Sequence, residues 1–565
     1  MQILKKILLV GLVLVSGWLA PSCNKFDLDV NTDPNNPATT TPQLLLTNIE
    51  FSLMNNLAGG LNDTQHGFMG MMTYYDDFNV PASSWNFEWN VFYANVLKDI
   101  EGLIAASSAD AASGRAENPR YLAIAQLLKA YSYMTLVDLF GDVPYSQAAQ
   151  GDAANSVQYP KFDKDQDVYN ECKKLIVAAE TNLGKTFSVA VAGDIIYGSN
   201  MDKWKALAKT MKLKWAMSTR LVDPAAAKTE VEAIIAAGGM IADAPGDFQL
   251  QFSKLVTPDN RHPWYVGPYT NGEFNYISSQ MMVEMVEDGD PRFPFYFRRQ
   301  TKKVLDPNNP TEKGTIPCTT TPGCTYGYIV LNQGIIDRLY TNKGKAYDAS
   351  AKDFLAGLFG RDRSDPAGVP ADGTLRTLPG VYPCGGYYDV KEAARPANNA
   401  APGGGIFPAL THVNVDYYKI EAALSMGANV GATPRDLFKA AMEKHIKKVV
   451  DFGVATDANS ARPSADTTSK YVNLWLARYD AATNDNARLN VVMKQMWFSS
   501  WGSAYELWNA FRRTGLPTTL QEPINPARNE PKRMPYPQLE LSLNTSASAY
   551  KNIIYDKDPV FWDKN

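Results

Sequence analysis

The side chains able to do chemistry are few in this chain, and they are poorly spaced for catalysis. The four histidines, His66, His262, His412 and His445, stand far apart, and none belongs to a paired metal-binding helix of the H-E-x-x-H kind. No G-x-S-x-G elbow presents a serine nucleophile. Gly403-Gly404-Gly405 fails the dinucleotide spacing, because Pro408 stands where the last glycine is needed. Asp163-x-Asp165-x-Asp167 opens like a calcium loop, yet Val168 replaces the turn glycine and Lys174 the closing glutamate. Just ahead of a helix, those acids suit capping of free N–H groups instead. Asp29-x-Asn31-x-Asp33 is blocked in the same way by Pro34. Neither a cofactor nor a metal is expected. Carboxylate pairs for glycoside hydrolysis are defined by spatial separation, so a surface hydrolase remains the alternative from a different class.

Aromatic residues are the better candidates for function. A sugar ring offers apolar C–H faces to a flat side chain, while its hydroxyls need amide, carboxylate or guanidinium partners. Two aromatic clusters lie outside clear helical stripes. One is Tyr74, Tyr75 and Asn79, followed by Trp85 at the edge of a helix; the other is Trp264, Tyr265, Tyr269 and Asn271 in a Pro-flanked stretch. These eight residues are the expected ligand-binding set. The competing reading is that they seal an irregular subdomain against helices. Trp89, Trp204, Trp215, Trp497 and Trp508 follow helical spacing and are expected in the core.

The N-terminus speaks to location. Lys5 and Lys6 precede an apolar run over 7–20 that ends at Pro21-Ser22-Cys23. This reads as a secretory signal over residues 1–22, too short to span a bilayer. A small residue directly before Cys23 makes it a lipoprotein signal, with Cys23 the lipidated first residue. Removing residues 1–22 takes away Lys5 and Lys6 and moves the formal charge from −4 to −6. Such mild acidity argues against a nucleic-acid partner, which needs a clustered basic surface. An exported chain meets an oxidising compartment, which allows a local disulfide between Cys318 and Cys324. Cys172 and Cys384 have no evident mate.

The elements that must position these residues are mainly helical. After a polar tether over 23–40, helical spacing covers 42–57 and 85–106. Asn118 and Pro119 form an N-cap and first turn for a helix to Phe140, with Gly141 at its stop. Helices are predicted over 168–183, 201–221 and from Pro224 to a stop at Gly238-Gly239, then over 413–425, 434–452 and 487–512. Trp204, Leu207, Ala208 and Met211 approximate the start of a tetratricopeptide helix pair. Residues 245–408 are rich in Pro, Gly, Asn and aromatics and too long for one loop. The expected architecture is mainly α, with tetratricopeptide-like helical pairs forming an α-superhelical scaffold (about 41–245 and 409–520). A large irregular, ligand-presenting insertion (about 245–408) and a C-terminal tail (521–565) complete a single domain over 41–565.

Several stretches together carry a resemblance. Phe26-Asp27-Leu28-Asp29-Val30-Asn31 leads into Asp33-Pro34-Asn35-Asn36-Pro37. Leu139-Phe140-Gly141-Asp142-Val143-Pro144-Tyr145 follows a long helix containing Tyr131. Glu506-Leu507-Trp508, Phe511-Arg512-Arg513-Thr514-Gly515, Arg533-Met534-Pro535-Tyr536-Pro537 and Glu540 close the chain. In this order, behind a lipoprotein signal, they resemble the SusD/RagB-like lipoproteins of the Bacteroidetes. The resemblance implies a non-catalytic receptor on the cell surface, lipid-anchored to the outer membrane. It would capture oligosaccharides, or in some relatives peptides, and deliver them to a SusC-like TonB-dependent transporter. A purely structural lipoprotein without a ligand is the remaining alternative.

Overall fold

The computed structural model describes residues 40–73, 78–112, 114, 116–151, 156–186, 190–271, 275–299, 303–304, 316–317, 358, 360–364, 377–390, 403–523 and 529–565. Its strands are short two-stranded pairs, and helices supply the framework. We number the main helices α1 (Pro42–Asn56), α2 (Asn62–Phe68), α3 (Lys98–Ser107), α4 (Pro119–Phe140), α5 (Asp165–Leu183), α6 (Met201–Ser218) and α7 (Pro224–Ala237). They continue as α8 (Ser279–Asp288), α9 (His412–Met426), α10 (Pro434–Thr456), α11 (Ala465–Ala481), α12 (Asp485–Ser499) and α13 (Tyr505–Thr514).

Helix α4 shows how local sequence sets an element. The Asn118 side chain accepts from the Tyr121 amide, Pro119 opens the first turn, and Gly141 ends the helix at φ 81°. A Cβ on Gly141 would lie 2.7 Å from the Arg533 guanidinium, so only glycine serves both the turn and the contact. From α4 the chain stacks helix on helix: α5 packs on α4, α6 on α5 and α7 on α6, with the same order from α9 through α12. Contacts of α9 with α6 and α7 join the two runs. This is the tetratricopeptide-like arrangement, mainly α.

Residues 245–408 leave and return at one ladder. Strand β1 (Phe248–Gln251) pairs antiparallel with β2 (Ile406–Leu410), setting Leu250 opposite Phe407 and Phe248 opposite Leu410. Phe248 and Leu250 are buried while Gln251 is exposed, the period of two that a half-buried strand requires. Within the stretch, Ser278 caps α8.

The structure departs from the expected elements in several places. The helix expected over 487–512 is two, α12 and α13, because the chain turns at 500–504 with Gly502 at φ 105°. Helix α11 was not anticipated; its stripe of Tyr471, Val472, Trp475, Leu476 and Tyr479 is diluted by polar neighbours. Asp163 does not cap α5. Its carboxylate accepts from the Tyr145 and Ser146 amides at 3.1 and 2.7 Å and so pins the turn after α4.

Candidate functional site

The long helical pattern near the N-terminus is interrupted twice, by a kink at Leu57–Leu61 and by a π-helical segment at Val91–Leu97. Helix α1 runs into the kink, where Gly59 leaves helical geometry at φ −88°, ψ −134°. The predicted 85–106 helix is instead a 3₁₀ turn (Ala82–Trp85), a short helix (Asn86–Asn90), a π segment (Val91–Leu97) and α3. A π segment inserts a residue and re-aims the side chains around it, and such segments are frequent at functional sites. Here the two interruptions face each other across a groove of about 280 Å³. That is near the lower end of the roughly 300–1,000 Å³ range of ligand clefts.

One wall carries Phe51, Ser52, Asn55 and Asn56 above the Gly59-Gly60 turn; the other carries Phe87, Glu88, Val91 and Asn95. Four-residue steps (Phe51, Asn55, Gly59; Ser52, Asn56, Gly60) place the first set on one face. Pro263 closes the end. The Asn56 amide donates to the Glu88 carbonyl at 3.2 Å and ties the walls together. A Cβ on Gly60 would lie 3.0 Å from Glu88 Oε1, whereas one on Gly59 would meet nothing within 4 Å. The Phe87 ring is 72% exposed, which is unusual for so large an apolar group.

Two acceptors in this groove, Asn56 Oδ1 and Glu88 Oε2, are buried without a hydrogen-bond partner in the protein. Unsatisfied buried polar atoms are costly and call for an explanation. Desolvation also raises the Glu88 carboxyl above its usual range. A ligand with an apolar face would cover Phe87 while its hydroxyl or N–H groups meet the exposed Asn55 and Asn95 amides.

The structure treats the sequence-predicted residues unevenly. Trp85, Trp264, Tyr265 and Tyr269 are each no more than 3% exposed, which corrects their expected role as an exposed stacking platform. His262 caps the Pro263–Tyr265 turn by accepting the Trp264 amide at 3.0 Å, and the turn carries Trp264 inward. Its indole then donates to Asp63 at 2.5 Å, with its ring 4.7 Å from His66 and 5.0 Å from Trp501. Tyr265 stacks on Tyr269 at 5.0 Å, and the Tyr269 hydroxyl donates to the Pro379 carbonyl at 2.7 Å. Burial of rings this large outweighs the Pro-flanked loop they sit in.

Asn79 is exposed but does not line the groove. Asn271 ends the π turn Val266–Asn271, and its side chain is outside the described residues. Tyr74, Tyr75, Cys23, Cys318 and Cys324 also lie outside them. None of the eight predicted residues is among the described residues lining the groove, although Phe87 and Pro263, close in sequence to Trp85 and Trp264, are. Residues 245–408 supply only Pro263 among the described lining residues, so the walls belong to the helical part. Sequence reasoning passed over Phe87, which falls off the Trp85–Trp89–Phe92–Val96 stripe, and Gly59-Gly60 inside a helical pattern. Both signals were present.

Two other hollows are weaker. One of about 240 Å³ includes Lys173, Trp215 and Glu230, but the Lys173 ammonium lies 4.0 Å over the Trp215 ring and pairs with Glu230. The other, beside Tyr417, His445 and Lys448, holds about 20 Å³, the size of one water.

Comparison with known proteins agrees with this architecture. A family model described as starch-binding and associating with the outer membrane matches residues 34–321, and one described as SusD and RagB outer membrane lipoprotein matches 408–557. No curated protein matches significantly. Among solved structures, a chitin-binding protein is 21% identical with TM-score 0.64, covering 93% of this chain and 100% of its own. A SusD/RagB family protein from Bacteroides thetaiotaomicron is 18% identical with TM-score 0.66, covering 93% and 100%. A chitin-binding SusD homolog from Flavobacterium johnsoniae is 17% identical with TM-score 0.61, covering 92% and 97%.

Proposed function

This chain belongs to the SusD/RagB family of outer-membrane lipoproteins, and we propose that it is a cell-surface receptor that captures an oligosaccharide in the groove between its two interrupted helical walls. The observation that carries this reading is the groove itself. An exposed Phe87 ring lies beside the exposed amides of Asn55 and Asn95, a combination that matches the apolar face and hydroxyl rim of a sugar. The family description and the chitin-binding similar structures support a glycan as ligand.

Capture here involves no bond breaking. The receptor hands its ligand to a TonB-dependent transporter of the SusC type in the same membrane. Residues 41–565 act as one domain, held to the outer leaflet by lipid on Cys23. Among the described residues no helix is long and apolar enough to cross a membrane, which is consistent with such a tether.

Replacing Phe87 with alanine removes the stacking face without disturbing the core. Affinity for the best-bound oligosaccharide should fall about two- to tenfold, the equivalent of about 0.5–1.5 kcal/mol. Titration calorimetry checks this, and unchanged affinity removes the ring from the site. Retention of peptides but not glycans would overturn the sugar reading. Metabolic labelling with a fatty acid should mark the wild type and not Cys23→Ala; equal labelling of both contradicts the anchor.

A further inference from the structure

We propose that the groove selects its saccharide by charge, accepting neutral glycans and rejecting those that carry carboxylates or sulfates. This rests on the groove being the ligand site. Among the described residues that line it only Glu88 is ionisable, and none is a lysine or arginine. The two partnerless buried atoms, Asn56 Oδ1 and Glu88 Oε2, are both acceptors. A ligand carboxylate or sulfate therefore meets no cation among the described lining residues, only neutral donors such as the Asn55 and Asn95 amides, beside the Glu88 carboxyl.

The surroundings reinforce the bias. Across the wall segments 42–61 and 86–107 the single base is Lys98, exposed and outside the described lining; of the acids besides Glu88, Glu101 is paired with Lys129 at 2.5 Å and burial raises the Glu50 carboxyl well above its usual range, which leaves Asp99. One turn beyond Asn95, Asp99 accepts from the Asn48 amide at 2.6 Å. Like charges brought together across a partly desolvated cleft repel far more strongly than in open water. A hydroxyl or an amide N–H, by contrast, gains a charge-assisted hydrogen bond to the carboxylate.

The test uses the full chain and a matched pair of ligands. The first is whichever neutral oligomer of starch, mannan or chitin binds best; the second is the same oligomer oxidised at C6 to the uronate. Calorimetry should show the uronate bound at least about tenfold more weakly by the wild type, because like-charge contact at a buried site is costly. Glu88→Gln should close most of that gap, and added salt much less of it, because a partly buried pair is screened weakly. Equal or tighter binding of the uronate, or a gap unchanged in Glu88→Gln, overturns charge selection while leaving the receptor reading intact. Absence of binding by every neutral oligomer overturns both.

Discussion

His262 holds a position set by several contacts at once. Its Nδ1 accepts from the Trp264 amide, its ring centroid is 4.9 Å from that of Phe252, and the side chain is fully buried. Burial lowers its pKa to about 3, and His66 nearby is lowered to about 4 for the same reason. Both imidazoles stay neutral in the folded protein while the unfolded chain takes up protons below about pH 6.5. Stability should therefore be full above about pH 6.5 and fall as the pH drops towards 3, by up to about 1.4 kcal/mol per pH unit for each group. His262→Asn keeps a side chain suited to the cap and should remove one proton's share of that slope in denaturant titrations at several pH values. An unaltered slope would show that His262 titrates normally in the fold. At this scale the sequence did not show that Trp85, Trp264, Tyr265 and Tyr269 are buried. Trp264 looked exposed because prolines flank it, but Asp63 and His66, two hundred residues away in sequence, supply its partners.

Elements are joined through buried charge. Glu421 on α9 accepts from Arg220, just past α6, at 2.8 Å and from Arg513 on α13 at 2.9 and 3.1 Å. The two guanidiniums hold its carboxyl below the usual range against the opposing effect of desolvation. Removing one partner of such a set strands the others, so Glu421→Ala should cost about 3–5 kcal/mol in equilibrium unfolding. A loss under about 1 kcal/mol, as for exposed pairs, would contradict this assignment. Helix boundaries with local chemistry were legible: Asn118 and Pro119 start α4, and Pro224 and Gly238 bracket α7. The two interruptions of the N-terminal pattern were not. Hydrophobic spacing of three and four residues continues through them, and they show only as Gly59-Gly60 and as an aromatic displaced from its stripe. The groove depends on those interruptions.

At the scale of the whole molecule, the mainly α architecture could be read because helix pairs need only local periodicity and caps. The expected position of the ligand face could not. Residues 245–408 read as the presenting surface by composition; among the described residues the β1–β2 ladder joins the two ends of that stretch, and the groove is lined chiefly by segments near the N-terminus. That juxtaposition depends on contacts with no trace in neighbouring sequence. The central claim, that ligand lies between the two interrupted helical walls, is tested most directly by filling the space. Gly59 lines the groove, and a side chain there meets no protein atom within 4 Å at its Cβ. Calorimetric titration of Gly59→Trp with the oligosaccharide best bound by the wild type should show binding lost, with the unfolding midpoint close to that of the parent. Affinity equal to the wild type in that variant would contradict the account.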